Sequence, residues 1–210
     1  MQLHTVPIFP LTGLVLFPRT LITLHIFEPR YKALVERTLE TDRRMATANI
    51  RPGSETNEFG KPRVYRTITI ARILHDEKLE DGTFNILLEG IERALVDEEL
   101  EHEPYRIVKA RSLVDIMSEE DRHAIQEAHQ ESVALANEVA TRIPDLRSTL
   151  TNLDNIHLHP GIIADQIAAA LIVEPYERQG ILEERNVLRR IQLVNVQMRA
   201  ILAKLEGKMS

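Results

Sequence analysis

The stretch VPIFPLTGLVLFPRTLITLHIFEPRY, residues 6–31, decides the fold because it combines apolar bulk with backbone rigidity. It holds four of the ten prolines and three of the five phenylalanines of the chain. Proline cannot donate a ladder hydrogen bond, so within sheets it is confined to edge strands, strand starts and bulges. The apolar runs between the prolines, residues 14–17 and 21–26, therefore predict strands of a bent, partly open sheet.

The residues that follow predict one helix among further strands. Residues 28–42 carry apolar side chains at helical spacing after a proline, which indicates a short amphipathic helix. Residues 44–51 predict a buried strand. Threonine and isoleucine alternate over residues 67–70, which predicts a half-buried strand with the threonines on one face and the isoleucines on the other.

Tight turns separate the remaining strands of the first half. Asp81-Gly82 is a strong hairpin signal, and Gly90 predicts a second turn. The acidic run at residues 97–103 predicts a solvated loop before a last strand at residues 105–113. Several strands with tight turns and one interleaved helix indicate a closed or nearly closed β-barrel.

From Ser118 onwards the pattern is helical. Ser118 and Asp121 form a helix start of the capping type, and Pro144 ends this first helix. Pro160 stands in the first turn of a second, largely apolar helix, and Asn186 caps the last one. The second half therefore predicts a bundle of roughly four helices.

Composition excludes several classes of protein. No apolar run approaches the ~18 residues that cross a bilayer, and the N-terminus lacks the pattern of a secretory signal. The absence of cysteine rules out disulfides, thiolate metal sites and cysteine nucleophiles. A net charge of −6 disfavours binding to a phosphate backbone. We therefore expect a soluble cytoplasmic protein with no membrane contact.

Few residues suggest chemistry. The chain has no phosphate-binding loop, HExxH, GxSxG or dinucleotide motif. His157 and His159 are separated by one residue and could share a metal, with Asp154 and Asp165 completing the site. The simpler interpretation is that they are polar residues before a helix.

Four aromatic residues and one charged pair are open to two interpretations. Exposed aromatic side chains suit peptide-binding clefts, but the same residues at strand ends also build barrel cores. We expect the core for each member of this set, which is Phe9, Phe17, Phe27 and Tyr31. Glu28 and Arg30 are expected to form a structural ion pair at the strand-to-helix turn. No contact residue of a binding surface is predicted.

The order PIFPL, GLVLFP and LHIFEPRY resembles the opening of the Lon-protease N-terminal domain family, also called the Lon substrate-binding domain. Further stretches fit the same family in the same order: ITIARI followed by LLEGIERALV, then ADQIAAAL, then ERQGILEERNVLRRI. The resemblance implies a β-rich subdomain described as a PUA-like pseudo-barrel. Lon proteases carry an ATPase and a protease module after this domain, whereas this sequence ends with the domain; we therefore expect a stand-alone form, to which the resemblance carries over neither ATP hydrolysis nor peptide-bond cleavage.

The sequence thus predicts an α+β protein in two parts: residues 1–116 form a β-rich pseudo-barrel with an interleaved helix, and residues 117–210 form a helical bundle packed on it. The expected function is a non-catalytic module, with no cofactor or metal, that binds unfolded or exposed polypeptide segments or a partner protein. Binding would occur in a cleft between barrel and helices, or by addition of a peptide strand to an open barrel edge.

Two alternatives come from other classes of function. One is a metal-dependent hydrolase using His157 and His159. The other is an RNA-binding PUA-like protein, which the acidic balance disfavours. The last helix is strongly apolar on one face, so it could either self-associate or close the bundle.

Overall fold

The computed structural model describes residues 2–54, 61–146, 150 and 159–207. The chain divides into two compact units, Met1–Val114 and Asp115–Ser210. The described part of the first unit consists of β1 (Leu3–Leu11), β2 (Leu21–Ile26), α1 (Pro29–Leu39), β3 (Arg44–Asn49), β4 (Thr67–Lys78), β5 (Phe84–Leu100) and β6 (Arg106–Ser112). The described part of the second consists of α2 (Arg122–Arg142), a 3-10 turn (Pro144–Leu146), α3 (Pro160–Leu171), α4 (Pro175–Glu183) and α5 (Val187–Glu206). The assignment of residues 1–116 and 117–210 to separate domains stays a prediction.

The strand pairings of the first unit close on themselves. Strand β1 lies between β3, which is parallel to it, and β6, which is antiparallel. Strand β4 joins β3 to β5, and β5 pairs in turn with β6. The ring therefore runs β5–β4–β3–β1–β6–β5, and β2 pairs with β5 as an additional strand. This arrangement confirms the α+β class and has the closure that the turn pattern predicts.

Strand β5 is longer than the sequence suggested. It runs unbroken through Gly90, so the predicted turn there is wrong. The residues before Gly90 pair with β2, and those after residue 93 pair with β6. Gly90 therefore lies where the strand changes partner, beside a bulge in its pairing with β4.

The first part of the acidic run also belongs to β5, so the loop predicted over residues 97–103 is wrong up to Leu100. Strand β6 supplies basic partners for three successive carboxylates. Asp97 pairs with Arg111, Glu98 lies 2.9 Å from Lys109, and Glu99 lies 2.7 Å from Arg106. Cross-strand charge pairs of this kind make an acidic strand compatible with a sheet.

Residues 14–17 form no strand, although apolar character predicted one. They pack on one face of the sheet instead. The Thr69 hydroxyl donates a hydrogen bond of 2.5 Å to the Leu16 carbonyl, and Thr69 is only 1% exposed. Residues 67–70 are all buried, so the prediction of a half-buried strand is wrong there; at Thr69 the cause is this segment, which covers the face that was expected to be exposed.

Two apolar clusters fill the first unit. The larger contains Phe9 and Tyr31, whose rings meet edge to face with centroids 4.4 Å apart. Helix α1 contributes Leu34 and Val35 to the same cluster, both without exposed surface. The smaller cluster lies among β1, β3, β4, β5 and β6, and its members include Ile8, Ile68 and Ile70. The larger cluster is thus built mainly from strand residues and α1 together, whereas the smaller one is built from strand residues.

A buried arginine organises the second unit. Arg190 of α5 is 0% exposed, and its two terminal nitrogens donate to the Asp115 carboxylate at 2.8 and 2.6 Å. Its Nε lies 3.4 Å from Asp165 of α3, the separation of an ion pair rather than of a well-formed hydrogen bond. Burial disfavours the charged guanidinium, but the hydrogen bonds with Asp115 and the negative charges of Asp165, Asp115 and Glu184 outweigh this, so the pKa of Arg190 is raised.

The β4–β5 hairpin makes a testable prediction about Asp81. Its Oδ1 accepts hydrogen bonds from the Thr83 hydroxyl at 2.7 Å and the Thr83 backbone N–H at 2.9 Å, which lower the pKa of the Asp81 carboxyl. Because the folded-state pKa is depressed, the stabilisation exists above the unfolded-state pKa and disappears as the pH falls through the folded-state value. We expect Thr83→Val to move the pKa of Asp81 upwards in an NMR titration.

The exposed substitution Thr23→Val serves as the control and should leave the Asp81 titration unchanged. An identical titration in Thr83→Val would show that the hydroxyl does not stabilise the carboxylate.

Candidate polypeptide-binding surface

Strand β2 presents an open edge. Within the described residues it pairs with β5 alone, so half of its backbone polar groups face away from the sheet. The Gly90 N–H donates to the Thr20 carbonyl at 3.0 Å. Because hydrogen-bonded residues alternate along an antiparallel pair, every second residue from Leu21 onwards turns its N–H and C=O to the open edge. This is the geometry that accepts an added strand.

The same alternate residues also carry exposed side chains. We call this set, Leu21, Thr23, His25 and Phe27, the β2 surface. Leu21 is 60% exposed and Phe27 is 65% exposed. One large apolar side chain therefore lies on the solvent side at the start of β2, and a second lies one residue beyond its end.

The opposite face of β2 anchors the strand. Ile22 and Leu24 pack against the larger apolar cluster, and Ile26 is buried within it. Three of the four members of the β2 surface thus lie on a strand anchored to the core, and Phe27 follows it directly; side chains that are held in place before binding lower the entropic cost of binding.

The turn before β2 is held by hydrogen bonds. The Thr20 hydroxyl donates to the Phe17 carbonyl at 2.8 Å and accepts from the Phe17 N–H at 3.2 Å. The Arg19 N–H donates to the Gly90 carbonyl at 2.7 Å. These contacts fix the register at which the chain enters β2.

His25 links the apolar end of the β2 surface to a polar rim. Its Nδ1 lies 2.9 Å from Oδ1 of Asn85, and the Asn85 amide donates to Glu77 at 3.3 Å. The His25 ring stacks beside Phe27 with centroids 6.2 Å apart. The rim beside Phe27 is therefore polar, with an acidic member.

The structure separates the four aromatic residues that sequence reasoning treated alike. Phe9, Phe17 and Tyr31 are core residues as predicted. Phe27 is exposed, so the prediction of a core role is wrong for it. The alternation of outward residues from Leu21 to Phe27 was the signal that could have identified this face.

The predicted ion pair between Glu28 and Arg30 is present at 2.9 Å. It lies at the start of α1, and the Arg30 guanidinium stands 4.5 Å from the centre of the Tyr31 ring. Both contacts are local, which fits a structural role at the end of the β2 surface.

The candidate metal ligands are only partly described. His157 and Asp154 lie outside the described residues. His159 caps α3 by accepting from the Gly161 N–H at 3.2 Å, and Asp165 is the buried ion-pair partner of Arg190. No group of three potential ligands occurs in the described part of the chain. The metal hypothesis for His157 and His159 stays a prediction.

The cluster of His4, Ser112 and Glu92 contains the residue types of a nucleophile and its base, but its geometry fits a structural role. Nε2 of His4 lies 3.0 Å from the Ser112 hydroxyl and 3.1 Å from a Glu92 carboxylate oxygen. A relay needs the carboxylate on the other ring nitrogen, so that the base can accept the hydroxyl proton. Ser112 is also buried. The cluster holds β1 to its neighbours rather than activating a hydroxyl.

Solved structures share the fold of both units. The N-terminal domain of Mycobacterium avium complex Lon protease matches with a TM-score of 0.70 at 16% identity, over 93% of this chain and 98% of that one. A Lon N-terminal domain protein from Xanthomonas campestris matches with a TM-score of 0.61 at 21% identity, over 90% and 95%. The chain is therefore of the class built from a Lon-type β-rich unit and a helical unit.

Sequence comparison gives the family itself. The model of the substrate-binding domain of ATP-dependent protease La (LON) matches residues 5–200, so the chain belongs to that family. The matched model describes a substrate-binding domain and not the protease or ATPase part.

Curated relatives include the Lon protease of Anaeromyxobacter dehalogenans, 30% identical over 90% of this chain and 22% of its own length. Another is Lon protease 2 of Myxococcus xanthus, 30% identical over 91% and 23%. The chain spans less than a quarter of either protein. Within the described helices, none is long and apolar enough to cross a membrane.

Proposed function

We propose that the chain is a non-catalytic recognition module that binds extended apolar polypeptide segments by adding them as a strand to β2. The observation that carries this proposal is the coincidence of an open strand edge with two exposed apolar side chains, Leu21 at the start of β2 and Phe27 directly after its end. Backbone hydrogen bonds supply affinity in strand addition, and pockets for alternate side chains supply selectivity. Membership of a substrate-binding family supports polypeptide as the ligand.

The surroundings of β2 also favour a peptide over a nucleic acid. Leu21 stands opposite Glu89 on β5, and Glu77 lies beyond Asn85. Acidic groups around an apolar face repel phosphates and suit apolar segments flanked by lysine or arginine. The RNA-binding alternative stays a prediction with less support.

The test measures the affinity for an unfolded chain. Reduced α-lactalbumin, with its thiols blocked by iodoacetamide so that no negative charge is added, is labelled with a fluorophore and titrated with the wild type and with the double variant Leu21→Ser/Phe27→Ser. We expect at least about 10-fold weaker binding in the variant, because truncating two apolar side chains removes roughly 1.5 kcal/mol or more of burial.

Val173→Ser is the matched control, because Val173 is an exposed apolar residue of the second unit. It should bind like the wild type. Both variants change exposed positions, so circular dichroism should show unchanged folding. Equal affinity of wild type and double variant would refute β2 as the binding strand.

A further inference from the structure

The face of α5 opposite the buried one carries an apolar stripe that remains exposed. The strongly apolar face of the last helix, noted in the sequence, is largely buried within the second unit. It includes Ile191, Val194, Met198 and Leu202. A different set of residues remains exposed at alternating spacings of three and four: Leu193, Val196, Ala200 and Ala203. Leu193 is 42% exposed and Val196 is 54% exposed. We call these four residues the α5 stripe.

The α5 stripe has large residues at one end and small ones at the other. When two α5 helices pack antiparallel around a two-fold axis near residue 198, the large side chains of each helix meet the small ones of the other. Leu193 then lies against Ala203 of the second copy, and Val196 lies against Ala200. Alanine allows close approach of the two helices, and the two-fold axis generates each contact twice.

Charges flanking the α5 stripe agree with the same register. Arg189, near the start of α5, would lie beside Glu206 of the second copy. Lys204 would lie beside Gln192 of the other helix. Gln192 lines a 410 Å³ groove between α2 and α5 together with Glu127, so that carboxylate stands within reach of the incoming lysine.

The groove widens the contact beyond α5. Ala124 and Ala128 of α2 line it beside Val196, and Arg199 pairs with Glu131 at its edge. An antiparallel helix seated on the α5 stripe would therefore also touch α2. From these contacts we propose that the chain forms a two-fold dimer through antiparallel α5 helices. An interface of two helix faces is at the small end of specific interfaces, so we expect micromolar affinity, on the order of 10 µM.

Sedimentation equilibrium tests association between about 1 and 500 µM, which brackets affinities typical of small interfaces. We expect the mass to rise from the 24.0 kDa of one chain towards twice that value. Val196→Glu should keep the chain monomeric throughout, since it puts a carboxylate into the apolar contact. Val173→Glu, an equally drastic change off the stripe, should dimerise like the wild type. A wild type that stays monomeric would overturn the proposal.

Cysteine cross-linking tests the register, and the natural chain contains no cysteine to interfere. Residues 193 and 203 of one helix are about 15 Å apart, too far for a disulfide within one chain. The double variant Leu193→Cys/Ala203→Cys should therefore oxidise to a covalent dimer, whereas Leu193→Cys alone should not. Equally rapid cross-linking of the single variant would refute the antiparallel register. Loss of the sedimentation dimer in Arg189→Glu, with recovery in Arg189→Glu/Glu206→Arg, would support it.

Discussion

Replacing Arg190 with alanine is expected to lower the free energy of unfolding of the second unit by roughly 3–5 kcal/mol. Arg190 is fully buried and binds Asp115 through two hydrogen bonds. Asp165 is 1% exposed, so the substitution leaves its carboxylate buried without the guanidinium as ion-pair partner. A buried charge that loses its partner bears most of the desolvation cost.

Urea unfolding followed by circular dichroism measures the effect. Arg122→Ala is the matched control, because Arg122, the first residue of α2, forms an exposed pair with Glu119, three residues before it. We expect that control to change stability by no more than about 0.5 kcal/mol. The double variant Arg190→Leu/Asp165→Leu should lose less stability than Arg190→Ala, since it removes both buried charges. A loss below about 1 kcal/mol in Arg190→Ala would contradict the role of the ion pair.

Gly90→Ala is expected to destabilise the first unit by about 1–3 kcal/mol, the usual range for overpacking. A Cβ at this position would lie 2.1 Å from the Phe17 carbonyl oxygen and 2.9 Å from its carbon. Both atoms belong to the backbone segment that crosses the sheet, so either that segment or β5 must move. The hydrogen bonds of Gly90 with Arg19 and Thr20, which fix the turn before β2, would move with it.

Gly180→Ala is the control for Gly90→Ala because it makes the same chemical change in open space. Among the described residues, no atom outside the adjoining residues and the backbone of the surrounding helical turns lies within 4 Å of the added Cβ, and Gly180 is inside α4. Alanine is the better helix former, so we expect a gain of about 0.5–1 kcal/mol. If Gly90→Ala were as stable as the wild type by chemical denaturation, the close approach to Phe17 would not constrain the fold.

Local sequence signals predicted the elements that depend on nearby residues. The structure contains the hairpin turn at Asp81-Gly82, the start of α1 at Pro29 and the helix cap at Asn186. Each of these features depends on a proline, a glycine at positive φ or a side-chain hydrogen bond within a few residues. Such information is contained in a short stretch of sequence.

The errors concern contacts between distant residues. Glycine is common in turns, so the local sequence predicts a turn at Gly90; the structure instead requires glycine there because the Phe17 carbonyl approaches from elsewhere in the chain. The acidic residues 97–99 predict a loop from their own composition, and that prediction fails because their basic partners lie on β6, in a different part of the sequence. Neither cause can be read from local composition.

The candidate site was predictable in outline. Binding of a peptide strand to an open barrel edge was one of two expected modes, and β2 supplies such an edge. Phe27 was misassigned because exposure depends on which face of β2 meets the core. Ile22, Leu24 and Ile26 occupy the inner face, which leaves the alternate residues outside.

The pairing of β1 with β6 has a kinetic consequence. Leu3 pairs with Arg111, so the first strand of the ring meets its partner only after more than a hundred residues have been made. Synthesis at about 5–20 residues per second keeps β1 without that neighbour for roughly 5–20 seconds. Distant pairings of this kind also slow folding, because the entropy of closing a long loop is lost before the contact forms. We therefore expect the first unit to form late and cooperatively during synthesis, once β6 has left the ribosome.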